Sequence, residues 1–115
     1  MITIWHNPRC SKSRQTLALI EAAGAEVSVR RYLESPPTLA ELEAAVTALG
    51  LRPIEMIRKG EARFKELGLS KDSEDAVLIQ AMADNPILIE RPIVFKGAKA
   101  VIGRPPEAVN ALLAG

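Results

Sequence analysis

The sequence predicts an α/β fold in which a β-α-β opening and a β-β-α ending enclose a helical block. Three observations point there. Short strand-like runs lie near both ends of the chain, and its middle is helical. The middle, from about residue 33 to about residue 90, carries helical spacing and helix punctuation. The first two strand-like runs are separated by one helix-length segment, which makes them parallel neighbours joined by a right-handed crossover.

Ile2-Thr3-Ile4-Trp5 alternates and reads as a short strand. A helix follows from about Ser11 to Ala23, with Leu17, Ile20 and Ala23 at helical spacing and Gly24 as its stop. Ala25 to Arg31 alternates again, with Val27 and Val29 on one face. Ser35-Pro36-Pro37 is a turn. Thr38 and Glu41 fit a capping box, because the threonine oxygen can accept from the third helical amide while the glutamate reaches back. Leu39, Leu42, Val46 and Leu49 mark the inner face of that helix, and Gly50 ends it. Pro53 to Lys59 and Glu61 to Glu66 read as short helices. Glu74 to Ala83 is a fuller one, with Ala76, Ile79 and Ala83 inward, stopped by Asn85-Pro86. Ile93-Val94-Phe95 and Ala100-Val101-Ile102 flank Lys96-Gly97-Ala98-Lys99 as a hairpin. Pro105 and Pro106 suit a helix start, and Val109, Leu112 and Leu113 form the inward stripe of the last helix. The order is that of a thioredoxin-like fold: a four-stranded mixed sheet with a helical insertion between the second and third strands, about residues 33–90.

The 115 residues suit a single domain spanning 1–115. A chain of this length buries roughly 65% of its unfolded surface and needs neither disulfide nor metal. Net charge is +1 with both signs interspersed, so charge does not imply nucleic acid. No signal peptide is expected, since Met1 is followed by a short apolar stretch and then His6-Asn7-Pro8-Arg9. No apolar run reaches membrane-spanning length. One cysteine forms no internal disulfide, and one histidine beside it makes a poor zinc site. A cytoplasmic, reducing setting and a monomer are expected.

Cys10 falls between the first strand and the first helix, where free amides and the helix dipole favour negative charge. A free thiol has a pKa of about 8.5, and each unit of lowering is about 1.4 kcal/mol in favour of thiolate. Arg9, Lys12, Arg14 and a protonated His6 are the cations near it in sequence. The same place favours a bound oxyanion, to which Ser11 and Ser13 add hydroxyl donors. Most lone cysteines are inert apolar fillers, but the flanks here are Pro, Arg, Ser and Lys. Cys10-Ser11-Lys12-Ser13 is a CxxC pattern with serine in place of its second cysteine. It can attack but cannot resolve its own adduct, so the second thiol must come from elsewhere.

The stretch His6-Asn7-Pro8-Arg9-Cys10-Ser11-Lys12-Ser13-Arg14 resembles the active-site loop of the glutaredoxin-like arsenate reductase (ArsC) family. The resemblance continues through Tyr32-Leu33-Glu34-Ser35-Pro36-Pro37, Ile57-Arg58-Lys59, Glu66-Leu67-Gly68-Leu69, the run from Asn85 to Val94, and Gly103-Arg104-Pro105. It implies that Cys10 is the catalytic cysteine and that His6 influences its acidity. It implies that Arg58, Arg91 and Arg104 hold the oxyanion, and that Pro92 is the cis-proline before the third strand. Forked, permanently charged guanidinium groups suit a tetrahedral dianion. Ser11-Lys12 stands where the well-studied arsenate reductases carry a smaller, less charged pair, and the chain stops soon after its last helix. Both features place it nearer the short ArsC-like branch.

The activity so implied is arsenate reduction through a cysteine adduct. Glutathione serves as co-substrate, glutaredoxin as partner, and no cofactor is tightly bound. Two alternatives share the fold. One is a monothiol glutaredoxin-like thiol-disulfide oxidoreductase. The other is an Spx-like regulator that binds RNA polymerase, although such regulators commonly carry the full CxxC that this chain lacks.

Overall fold

Ile2, Ile4 and Trp5 are all buried, so β1 (Ile2–Trp5) is apolar on both faces and takes an interior place in its sheet. The computed structural model describes residues 1–114. Among them, β1, β2 (Val27–Arg30), β3 (Ile93–Lys96) and β4 (Lys99–Ile102) form one mixed sheet in the order β2-β1-β3-β4. β1 runs parallel to β2 and antiparallel to β3, and β3 runs antiparallel to β4. This is the thioredoxin-like fold, with the helical insertion between β2 and β3. β2 lies at the sheet edge, which leaves Val29 46% exposed although it alternates correctly. Lys96 pairs with Lys99, so the hairpin turn is Gly97-Ala98. Gly97 has φ +60°, the left-handed value that a two-residue hairpin turn asks of its first position.

The chain packs as two compact units, Met1–Ser35 with Arg91–Gly115, and Pro36–Glu90. In the first, α1 (Ser11–Ala22) crosses between β1 and β2. Ile2, Ile4 and Val94 on one sheet face pack with Ile20 of α1 and with Val109 and Leu112. The C-terminal helix begins as a 3-10 turn, Pro106–Val109, and continues as α6 (Asn110–Leu113), because two prolines set its entry. Trp5 and Phe95 pack as a tilted pair with ring centroids 4.8 Å apart, and the Arg30 guanidinium lies 5.7 Å from the Trp5 ring.

The second unit holds α2 (Leu39–Leu49), α3 (Pro53–Met56), α4 (Ala62–Glu66), α5 (Asp75–Asp84) and the 3-10 turn Pro86–Leu88. The Thr38–Glu41 capping box is formed, and Gly50 closes α2 in the left-handed conformation. α5 packs on α2 and α3. α3 stops three residues short of the expected Lys59, because Ile57 turns extended and bridges to Ile89.

The inner faces differ from the sequence reading in three helices. α5 buries Leu78, Ala81 and Met82, while Ala76 is exposed. That helix is apolar around most of its circumference, so spacing does not choose a face and the bulky side chains take the core. In α2, Leu39 is exposed and Ala45 is buried beside Leu42. In α1, Ile20 is buried as expected and the hydroxyl residues Ser13 and Thr16 are fully buried, while Ala23 lies just past the helix end and is exposed.

Ile20 ties α1 to the sheet from a fully buried position. Ile20→Ala should cost about 2–5 kcal/mol, the ordinary range for emptying such a site. Urea unfolding followed by circular dichroism measures this, and a loss under about 1 kcal/mol would contradict the packing described.

Candidate active site

The register of the sheet determines what meets Cys10. Trp5, the last residue of β1, pairs with Ile93, the first of β3, and Ile93 pairs with Ile102, the last of β4. The loop leaving β1, the segment entering β3 and the segment leaving β4 therefore emerge from one end of the sheet. They carry Cys10, Arg91 and Arg104.

Cys10 is the N-cap residue of α1, with extended backbone and no side-chain capping bond. A tight turn delivers it there. The Cys10 amide donates to the Asn7 carbonyl at 3.0 Å, and the Arg9 amide donates to Asn7 Oδ1 at 3.0 Å. An Asn-Pro pair favours such a turn, because the asparagine side chain bonds the backbone two residues on. The thiol is half-buried. Arg104 Nη1 lies 3.9 Å from Cys10 Sγ and donates to the Arg91 carbonyl at 3.3 Å. One guanidinium thus links the sulfur to the segment that enters β3. The Arg91-Pro92 peptide is cis, and so is Arg104-Pro105.

These neighbours compete over the proton. Burial pushes the Cys10 thiol up. The Ser13 amide, the Arg91 charge, the Lys12 amide and the Arg104 donor pull it down, and together they hold it below its ordinary value. The donors at the start of α1 are first-turn amides with no partner inside the helix.

His6 is 6% exposed, and its Nδ1 lies 2.6 Å from Ser13 Oγ. The same Oγ accepts from the Asn7 amide at 3.0 Å. Burial first, then the charges of Arg31 and Arg14, lower the His6 pKa against an opposing pull from Glu21. These influences favour the neutral imidazole over the protonated one expected near the thiol. With Ser13 Oγ accepting from Asn7, the serine proton is free to go to Nδ1. Ser13 is also corrected. Its hydroxyl is buried among His6 and Asn7 instead of facing an anion, and it reaches the sulfur through its amide.

Ser11 is exposed at the first position of α1. Arg14 turns back to donate to the Pro8 carbonyl at 2.9 Å. The cations that act on the thiol come from the far end of the chain rather than from the neighbours in sequence. Arg58 belongs to the helical unit, where it pairs with Glu61 at 2.8 Å and with Glu90 at 3.9 Å. Among the described residues, no three His, Cys, Asp or Glu side chains group closely enough to hold a metal ion. No helix there is long and apolar enough to cross a membrane.

The sequence model of the ArsC family matches residues 5–112. The chain belongs to the ArsC family. Over 110 residues it is 50% identical to the protein YfgD of Escherichia coli K12, covering 94% of this chain and 92% of that protein. It is 46% identical to a Neisseria meningitidis protein named arsenate reductase, covering 97% of each. The solved structure of an arsenate reductase from Vibrio cholerae superimposes with a TM-score of 0.92 at 46% identity, over 96% of this chain and 95% of that one.

In this ArsC chain the depressed Cys10 pKa is also a statement about stability. The native thiol binds fewer protons than the unfolded one between the folded midpoint and about 8.5, so its contribution is fully present above that range and is lost as pH falls through the folded midpoint. Urea unfolding of wild type and Cys10→Ser over a pH series should show the wild type gaining relative stability as pH rises through that window. A flat or falling difference would contradict the assignment.

Proposed function

We propose that this chain is an arsenate reductase that works through a covalent adduct on Cys10, with glutathione and glutaredoxin as its thiol donors. The observation that carries the reading is the Arg104 guanidinium placed between Cys10 Sγ and the Arg91 carbonyl, beside the first amides of α1. Positive groups that hold a thiolate also hold a tetrahedral anion next to it. The names of relatives at 46% identity support arsenate as that anion.

In this scheme, arsenate lies against the α1 amides, Arg91 and Arg104, with the Ser11 hydroxyl at its edge. Cys10 Sγ attacks arsenic, an arsenic–oxygen bond breaks, and water leaves, with arsenic still at its higher oxidation state. Glutathione adds to arsenic with loss of a second water. The glutaredoxin thiol then attacks the glutathione sulfur. The glutathione–arsenic electron pair stays on arsenic, which becomes arsenic(III), and a mixed disulfide forms. Water attacks the remaining adduct, arsenite departs and Cys10 recovers its proton-poor state. The net change is arsenate and two thiols to arsenite, one disulfide and water. Glutathione enters as a co-substrate, no cofactor stays bound, and a reducing cytoplasm supplies the thiols. His6 acts as a positioning residue through Ser13, and Pro92 as part of the backbone beside the thiol. Arg58 is carried as an anion ligand on family resemblance alone.

The test is arsenate-dependent NADPH oxidation by the purified protein with glutathione, glutathione reductase and glutaredoxin. Cys10→Ser should abolish turnover. Arg91→Ala and Arg104→Ala should each lower it by about 10²-fold, the scale of losing one preorganised charge donor. Arg58→Ala with unchanged turnover would remove that residue from the set. Wild-type turnover in Cys10→Ser would overturn the scheme. Reduction of glutathionylated protein without arsenate turnover would favour the glutaredoxin-like alternative.

A further inference from the structure

Gly103 is set apart from the other described glycines. Gly24, Gly50, Gly68 and Gly97 have positive φ and open space where a Cβ would stand, so conformation explains them. Gly103 shows the reverse. Its φ lies outside the left-handed range, but a Cβ built on it would fall 2.5 Å from Thr16 Oγ1, 2.8 Å from Pro92 Cγ and 3.0 Å from Thr16 Cγ2. Those separations are too short for real contacts. Thr16 has nowhere to go, because it is fully buried and its hydroxyl donates to the Lys12 carbonyl at 2.8 Å. Only two staggered positions of a helical threonine are favourable.

Three parts of the thiol site meet at this point. The Gly103 amide donates to the Pro92 carbonyl at 2.9 Å, tying the exit of β4 to the entry of β3. Thr16 Oγ1 lies 3.4 Å from the Gly103 carbonyl, so the same corner rests on the first turns of α1. Arg104 follows Gly103 directly and Arg91 precedes Pro92 directly.

We propose that Gly103 is a positioning residue for the thiol site. Its missing side chain lets the corner after β4 close onto Pro92 and Thr16, and that closure holds Arg91 and Arg104 on Cys10. The inference rests on Cys10 being the reacting group of the proposed function, but not on arsenate being the substrate. The groups that face the sulfur are the Arg91 and Arg104 cations and the Ser13 and Lys12 amides, and the corner at Gly103 controls the first two.

The experiment is the pH dependence of Cys10 alkylation by iodoacetamide in the full chain. Gly103→Ala should raise the midpoint by about half a pH unit or more, the order of shift that loss of a neighbouring cation gives a thiol. Adding Thr16→Ala removes two of the three obstructing atoms and leaves Pro92 Cγ, which a change of ring pucker moves aside, so the double variant should return the midpoint towards wild type. A Gly103→Ala protein that folds with a wild-type midpoint would overturn the proposal, since a purely structural glycine lowers stability without moving the thiol. A double variant that keeps the raised midpoint would also overturn it. If Gly103→Ala does not fold, the double variant decides. A folded protein with a wild-type midpoint supports the proposal. A raised midpoint, or failure of the double variant to fold, refutes it. Arsenate turnover of the wild type is measured alongside. Its absence would sink the proposed function and leave the alkylation comparison intact.

Discussion

The pull towards negative charge on the sulfur at the first turn of α1 is the constraint around which this half of the molecule is arranged. Burial works against it, because a half-buried thiolate loses hydration. Fixed positive ends work for it: two first-turn amides and two guanidinium groups. Each unit by which the balance falls below the free-thiol value represents about 1.4 kcal/mol of preference for the thiolate. The donors are preorganised, so they need no rearrangement when a second anion arrives or when negative charge moves from sulfur to oxygen. In this arrangement the monothiol loop sacrifices self-resolution and retains activation.

The fold supplies the geometry through strand register. Because β1 is antiparallel to β3 and β3 to β4, residues from positions 10, 91 and 104 come out at one end of the sheet. The short hairpin turn at Gly97-Ala98 sets the lengths of β3 and β4 equal, which brings Arg91 and Arg104 level. A one-residue slip would send alternate side chains to the opposite face and separate the two cations. Ile2, Ile4 and Val94, packed against Ile20, hold that register, so the apolar core and the charged site are parts of one argument.

Much of this was legible in the residues. Alternation located β1 and β2, a hairpin pattern located β3 and β4, the Thr38–Glu41 pair located the start of α2, and Gly50 located its end. Cys10 announced itself by polar flanks at a strand-to-helix junction. The partners of the sulfur were less legible, because Arg91 and Arg104 are neighbours of Cys10 only through long-range strand pairing. Family resemblance singled them out where local sequence could not. The charge of His6 is hard to read from sequence for a different reason. A histidine's charge depends on its burial and on what faces it, and Ser13, Arg31 and Arg14 are brought around it only by folding. Ser13 and Thr16 escaped as buried residues because hydroxyls do not register in an apolar periodicity. Each is satisfied internally, which is what allows a polar side chain to lie on the core face of a helix.

The site depends most directly on the ionisation of one sulfur, and the thiolate's own ultraviolet absorbance reads it without substrate, partner or catalytic step. Titrated against Cys10→Ser as the blank, the native protein should give a single absorbance step centred below the free-thiol value of about 8.5, and the urea-unfolded protein a step near that value. A native midpoint at or above the unfolded one would contradict the account, because burial would then outweigh the amides and guanidinium groups gathered around Cys10.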